Sequence, residues 1–456
     1  MGTHGLSIEI EEAEYDDPFD NEAGNADGRQ VWAKAKELWK IGKGLGLKLG
    51  LVDSANDPYK NQVTPKIVAE GGLKYLDKPL ANPMVPEARA LLLRNKENMY
   101  RDLERAGIQL DNVLWFPYDT GGCFNEACRP WMLKVLELTE QLGAGLKKYN
   151  PNARVFITDW LASDDEGRMM VDYLNHHPAT KITGVWKQDR TTVDRFDRLD
   201  KRFQLLVFLD LSVAGFGTIG AQPLPTMVNS FVGDGARRGM SGVMVYTEGI
   251  WDDFNKALGL QVAWSPGLSA QDFSHQYASY FFDSAIAPGF YQIVQQSEKS
   301  WPDARLPLEA FSHFVFIDVP VSAERLEELT LSAGEKLRPE IRHSWRWQVL
   351  EYRARIGKVA ASLTSPSDFR SSMLQAINAG VAHDLLRRHV REKQDLLEHY
   401  RTLVNELRSQ VYQEPADRMF SMNVENDYMA QIISVPFGEW SKVLQELNTK
   451  LGGGSP

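Results

Sequence analysis

Val113-Leu-Trp-Phe-Pro-Tyr-Asp-Thr-Gly-Gly122 is a short apolar run that ends in an aspartate and two glycines. Runs of this kind, rich in β-branched and aromatic residues and followed by an amphipathic segment, are typical of βα units with parallel strands. Six more occur before residue 265, at 6–10, 47–52, 154–158, 182–186, 205–209 and 242–246. Helical spacing between the runs predicts helices at 29–42, 86–106 and 126–149.

Nearly every run ends in polar or acidic residues. In a (β/α)₈ barrel, the carboxyl ends of the strands surround one site, and several strands contribute catalytic groups. A doubly wound sheet would usually carry a glycine-rich phosphate loop, and the sequence has none at a strand-to-helix position. The sequence therefore predicts an α/β fold with a (β/α)₈-type TIM barrel. The endings are Glu11-Glu12, Asp53-Ser-Ala-Asn56, Asp119, Asp159-Trp160, Lys187-Gln-Asp189, Asp210 and Glu248.

The number of apolar runs is seven, one fewer than the barrel needs. The eighth strand is either hidden between Glu9 and Asp27, or the first βα unit is absent from this sequence. A barrel without one strand would expose two sheet edges. We therefore expect another part of the chain to cover the gap.

After residue 268 the pattern becomes helical. Ser269 is a candidate N-cap for the first helix, and helical spacing continues through 321–336, 339–363 and 367–412. A short strand at 431–435 and a helix at 439–450 are predicted to follow. The predicted domains are a catalytic barrel at 1–267, a mainly α-helical domain at 268–451 and a flexible tail at 452–456.

The net charge and the apolar runs of the chain limit the classes of partner that we expect. The chain has a formal net charge of −10 and a pI near 5.5, which argues against nucleic-acid and anionic-membrane surfaces. No apolar run is long enough to span a membrane, and the opening residues lack the pattern of a signal peptide. We expect a cytoplasmic protein, or an exported one whose signal is absent from this sequence. The helical domain could also join copies of the chain.

Strand-end carboxylates are the candidate catalytic groups. Cleavage of a glycosidic bond requires an acid that protonates the leaving oxygen and a second carboxylate. Asp119 and Glu248 each end an apolar strand, where partial desolvation can raise a pKa. Asp210 and Asp159 are alternates. For any single one of these acids, a helix N-cap or a salt bridge is the competing interpretation.

Aromatic and polar side chains at the same strand ends favour a carbohydrate substrate. Flat rings stack on the apolar faces of pyranosides, and amides and carboxylates bind hydroxyl groups. Packing in the barrel core is the alternative, and we favour it for Trp115. The predicted substrate-binding residues are Asn56, Tyr118, Trp160, Trp186, Lys187, Trp251, Asp252 and Asn255.

The only two cysteines are Cys123 and Cys128. Their C-x₄-C spacing has no second pair or nearby histidine to complete a zinc tetrad. A disulfide within the loop, or two packed thiols, is favoured over a metal site. We predict neither a metal nor a cofactor. The preceding Gly121-Gly122 permits a tight turn and close approach of a ligand.

Several motifs resemble a family of proteins. Tyr118-Asp-Thr-Gly-Gly-Cys123 with Cys128-Arg-Pro-Trp131 resembles the fourth-strand segment of a poorly characterised group of bacterial TIM-barrel proteins regarded as glycoside hydrolases. The resemblance continues through Tyr246-Thr-Glu-Gly-Ile-Trp-Asp-Asp-Phe-Asn-Lys256 and reaches Ser344-Trp-Arg-Trp347. It implies acidic residues at the positions of Asp119 and Glu248, and a C-terminal helical domain. Members of the group usually begin with an additional βα unit.

The sequence thus favours a glycoside hydrolase that cleaves an oligosaccharide or glycoconjugate by carboxylate acid/base chemistry. One alternative is a β-N-acetylhexosaminidase-type reaction, in which the acetamide group of the substrate is the nucleophile. The other alternative is a barrel that binds carbohydrate without turnover.

Overall fold

The computed structural model describes residues 5–10, 12–20, 25–70, 79–118, 121–188, 196–210, 223–246, 253–299, 323–363, 365–411 and 438–452. Contacts divide the chain into two compact units. One contains the described residues of Met1–Leu209 and Gly235–Met244, and the other those of Asp210–Asp234 and Val245–Pro456. The domain boundary predicted after residue 267 stays a prediction.

Seven strands form one sheet in sequence order, and the registers from the first to the sixth strand are parallel. All seven predicted runs are strands, and the sheet with its helices fits an α/β barrel with helical parts. The described residues before Asp27 add a 3₁₀-helix at Glu12–Glu14 but no further strand. The strands are β1 Gly5–Glu9, β2 Lys48–Ser54, β3 Asn112–Phe116, β4 Arg154–Thr158, β5 Gly184–Gln188, β6 Gln204–Asp210 and β7 Gly242–Tyr246.

Helices follow most of the strands. In chain order they are α1 Ala26–Gly44, α2 Pro86–Arg105, α3 Trp131–Tyr149, α4 Asp164–His176, α5 Pro225–Arg237 and α6 Asp253–Trp264. The later helices are α7 Ala270–Phe281, α8 Ala287–Glu298, α9 Ala323–Gly334, α10 Pro339–Arg342, α11 Trp345–Ser362, α12 Pro366–Asn378, α13 His383–Gln410 and α14 at 438–450.

Local signals explain where several helices begin and end. Ser269 caps α7 as predicted, because its hydroxyl accepts a hydrogen bond from Asp272 N at 3.0 Å. The segment with helical spacing at 367–412 contains two helices. Gly380, with φ of +76°, lies between them in the left-handed conformation that commonly terminates a helix. The predicted strand at 431–435 lies outside the described residues.

The start of α5 is capped by a residue from another helix. Glu298, at the end of α8, accepts hydrogen bonds from Thr226 N at 2.9 Å and from Met227 N at 2.8 Å. The first amides of a helix have no partner within it, and a carboxylate there also interacts favourably with the helix dipole. Glu298 therefore joins α8 to α5 within the second unit.

The sheet is buried on both faces. Alternate strand positions, including Leu51, Val113 and Ile157, share one hydrophobic core with residues of α1, α2 and α3. The intervening positions Phe156 and Trp186 are also buried, and their rings meet edge to face with centroids 5.8 Å apart. Burial on both faces is the usual state of a parallel sheet.

Candidate active site

The segment that follows β3 contains the predicted catalytic residue Asp119, and hydrogen bonds hold the residues just before it. We call residues 117–131 the β3 connection. Trp131 donates its indole N–H to Pro117 O at 2.6 Å, and Tyr118 donates its phenolic proton to Glu166 of α4. Asp119 follows Tyr118 directly, and it lies outside the described residues. The two residues before Asp119 are therefore tied to α3 and α4.

The two glycines of the β3 connection are required by its path. Gly122 has a φ of +128°, which favours glycine, and a methyl group on Gly121 would lie 3.1 Å from Pro117 O. Asn56, just beyond β2, donates to Gly122 O at 2.7 Å and accepts from Gly122 N at 3.1 Å. It also donates to Ala81 O at 2.9 Å. The amide of Asn56 thus holds the loop, and its predicted role in substrate binding stays a prediction.

Three further links restrain the outer part of the β3 connection. Cys123 and Cys128 form a disulfide with Cα atoms 5.9 Å apart, which is one of the two alternatives that the spacing favoured. Phe124 N donates to Glu70 O at 2.8 Å, and Asn125 Oδ1 accepts from Glu70 N at 2.9 Å. The described residues 121–131 of the connection are therefore restrained by several links.

The ends of β4 and β5 carry four of the predicted site residues. Thr158 and Trp186 are register partners, so Asp159 and Lys187 occupy the next positions on the two neighbouring strands. Both are buried, as are Trp160 and Trp186. Trp160 N donates to Thr158 Oγ1 at 3.1 Å, which shapes the turn after β4. The structure thus brings an acid, a base and two indoles to adjacent strand ends.

The remaining predicted residues follow β6 and β7. Strand β6 ends at Asp210, whose side chain lies outside the described part, as do Glu248, Trp251 and Asp252. Asn255 is buried in α6, where its Oδ1 accepts a hydrogen bond from Leu224 N at 2.7 Å. That bond ties the beginning of α6 to the residue before α5.

Two motifs singled out in the sequence meet at Asp253, the first residue of α6. The Asp253 carboxylate accepts from Tyr277 Oη at 2.8 Å and pairs with Arg346 Nε. The guanidinium carbon of Arg346 lies 4.1 Å from the ring centroid of Phe281 and 4.3 Å from that of Trp345. In the sequence, Arg346 was singled out only as part of Ser344-Trp-Arg-Trp347, and that motif gave no partner for it.

A second group of buried charges was not predicted. Lys96 of α2 pairs with Asp53 at the end of β2 and lies 2.9 Å from Glu12 Oε1. Its ammonium is 5.3 Å from the ring centroid of Trp115, and all three charged side chains are almost fully buried. Asp53 follows Leu51 by two positions, so it shares the strand face that packs on the helices. This ion cluster joins α2 to the sheet.

Burial controls the ionisation of the ion cluster. It raises the pKa of Asp53 to about 8, with the charge of Lys96 opposing and that of Glu12 adding to the rise. Burial also raises the pKa of Glu12. The pKa of Asp57, again fully buried, is well above its ordinary value because of burial and then the charges of Asp53 and Glu12. Desolvation lowers the pKa of Lys96, but the carboxylates of Asp53 and Glu12 raise it by more, so the pKa of Lys96 is raised.

The described residues contain no group of three His, Cys, Asp or Glu side chains placed to hold a metal ion. In the same part of the chain, no helix is both long enough and apolar enough to cross a membrane.

The fold resembles that of known carbohydrate enzymes, although the sequence matches no known family model and no curated protein. One similar structure is the family 89 glycoside hydrolase from Clostridium perfringens in complex with 2-acetamido-1,2-dideoxynojirmycin. The TM-score is 0.57 at 12% sequence identity, and the match covers 92% of this chain and 53% of that chain. A variant of that enzyme with two glutamates changed to glutamine, in complex with its substrate GlcNAc-α-1,4-galactose, has a TM-score of 0.56 at 12% identity. This chain spans about half the length of these two structures.

Proposed function

We propose that this chain is a glycoside hydrolase that uses carboxylate acid/base chemistry. The supporting observation is the shared fold, which extends over 92% of the chain in the comparison with the family 89 enzyme. Fold similarity alone does not identify a reaction. Acidic residues at the carboxyl ends of β3, β4, β6 and β7 add the chemistry that a glycosidase needs.

Asp119 and Glu248 are our proposed catalytic pair, with Asp210 and Asp159 as alternates. The argument for Asp119 is the rigidity of its surroundings. A catalytic group must be held in position by supporting contacts, and the residues on both sides of Asp119 are tied to α3, α4 and the end of β2. Asp159 is already buried within the fold, which makes it a better positioning or charge-balancing group than a proton donor to substrate.

An N-acetylated sugar is the first substrate class to test. The matched family 89 structures hold a 2-acetamido inhibitor and an N-acetylglucosaminide substrate. If the substrate acetamide acted as nucleophile, one carboxylate would orient that group and the other would serve as the acid. An enzyme carboxylate as nucleophile or base is the competing mechanism.

The test is hydrolysis of a panel of aryl α- and β-glycosides together with GlcNAc-α-1,4-galactose. Asp119→Asn and Glu248→Gln should each lower kcat by at least about a hundredfold, since general acid–base catalysis contributes that much. Glu126→Gln, an exposed acid in the same β3 connection, is the matched control. Unchanged turnover in both catalytic variants would contradict the assignment. Saccharide binding without hydrolysis by the unmodified chain would favour a binding barrel instead.

A further inference from the structure

We infer that Phe124 is a saccharide-binding residue whose ring stacks on a pyranose unit next to the one that is cleaved. The inference deepens the proposed function and rests on it. Phe124 lies in the β3 connection, five residues after Asp119, and was not among the predicted site residues.

The first observation is exposure. Phe124 is 44% exposed, although it follows a buried cysteine and Gly122, which is bonded to Asn56 just beyond β2. A single exposed aromatic residue is common in proteins and identifies nothing by itself. Exposure matters here because the ring stands at the carboxyl end of a strand, the side of a barrel where substrates bind.

The second observation is that the ring is presented by a rigid backbone. Phe124 N is bonded to Glu70 O, and the neighbouring residues are held by the Cys123–Cys128 disulfide and by Asn125. A backbone that is already ordered loses less conformational entropy when a ligand binds. An aromatic ring kept in water by so many restraints is therefore suited to receive a ligand.

The third observation is a second ring beside the first. A methyl group on Gly122 would lie 3.8 Å from Tyr118 Cδ1 and 3.9 Å from Phe124 Cε2, so the two rings border the same side-chain-free position. Exposed Arg129 follows in the same loop. Tyr118 is buried, so Phe124 is the ring that a ligand can reach. An exposed aromatic ring next to hydrogen-bonding groups matches a sugar, which has an apolar C–H face and a rim of hydroxyl groups. A lipid or a nonpolar peptide would need a continuous apolar patch.

The test compares Phe124→Ala and Phe124→Trp with the unmodified chain. The probes are GlcNAc-α-1,4-galactose and a panel of neutral and acidic tri- and tetrasaccharides, with Kd measured by calorimetry and KM and kcat by product release. In Phe124→Ala, we expect Kd and KM for the bound oligosaccharides to rise about tenfold, the scale of one lost aromatic stacking contact. We expect kcat to stay within about twofold, and Phe124→Trp to restore binding.

Tyr280→Ala is the matched control, because Tyr280 is an aromatic residue that is 82% exposed in α7. It should leave Kd and KM unchanged. Equal oligosaccharide affinity in Phe124→Ala and the unmodified chain would overturn the inference while leaving the proposed function intact. If the unmodified chain neither binds nor cleaves any probe, the inference and the proposed function both fail.

Discussion

The phenol of Tyr118 donates its proton to the carboxylate of Glu166, which joins the β3 connection to α4. The other oxygen of Glu166 accepts from Ser163 N at 2.9 Å and from Ser163 Oγ at 3.0 Å, in the reciprocal capping arrangement at the start of α4. One carboxylate therefore caps a helix and fixes the residue that precedes Asp119.

Replacing Glu166 should reveal both roles. Glu166→Ala removes the cap and the acceptor of the phenol, so we expect the free energy of unfolding to fall by about 1–2 kcal/mol. Tyr118→Phe should cost less, and the double variant should cost less than the sum of the two. Urea titrations of the four proteins measure this coupling. Asp165→Asn, an exposed acid in the same turn, is the control and should have little effect. Strictly additive losses would contradict the link.

Lys96 should be one of the most sensitive positions in the first unit. Lys96→Met removes the cation of the ion cluster, and above about pH 8, where Asp53 is ionised, it leaves a buried carboxylate without compensation, which typically costs about 3–5 kcal/mol. Lys36→Met is the control, because Lys36 forms a half-buried pair with Asp102 at 2.7 Å. Such a pair is worth roughly 1 kcal/mol or less. Denaturant midpoints for the two variants give the comparison, and similar losses at both positions would refute the special role of Lys96.

The ion cluster should make stability depend on pH. The folded-state pKa of Asp53, about 8, lies above its ordinary value of 3.8. Its contribution to stability is therefore complete below pH 3.8 and is lost as the pH rises through about 8. Lys96 adds no pH dependence in that window, because its contribution is lost only above its ordinary pKa of 10.5.

Asp57→Asn tests this pH dependence. The substitution removes a buried carboxylate with a raised pKa, so the loss of stability between about pH 5 and 9 should shrink by at least roughly 1 kcal/mol, the equivalent of one pKa unit. Melting temperatures across that range, with exposed Glu104→Gln on α2 as control, measure the change. An identical pH profile in the unmodified chain and Asp57→Asn would show that Asp57 does not contribute to the pH dependence.

Arg346 should matter through its shape as well as its charge. Arg346→Lys keeps a cation near Asp253 but loses the planar group that packs on Phe281 and Trp345. We expect a loss of about 1–2 kcal/mol in the second unit. If the proposed function holds, kcat should also fall, because Asp253 begins α6 only five residues after Glu248. Exposed Arg325→Lys is the control, and the idea fails if both lysine variants melt at the same temperature.

The strands and many helices were predictable because their signals are local. All seven apolar runs became strands, and Ser269 caps α7 as its position before an amphipathic segment predicted. A buried strand needs a continuous apolar run, and a helix needs a cap and a repeating face, so a short window of sequence contains the necessary information.

The supporting groups of the candidate site were not predictable in the same way. Lys96 occurs in Arg94-Asn-Lys-Glu97, a stretch that resembles a solvated helix face, and its partner Asp53 is 43 residues away. Glu166 is 48 residues from Tyr118. Such pairs form only where the fold brings distant helix and strand faces together, and a single sequence does not show which faces meet.

The cap that Glu298 provides to α5 bears on how the protein can be divided for study. A gene fragment that stops after residue 267 would encode Thr226 and Met227 but not the carboxylate that accepts their amides. The helix that follows β6 would then begin with two unpaired donors, and water or a misplaced side chain would have to replace Glu298. A shortened version intended to keep this cap must therefore extend at least through Glu298.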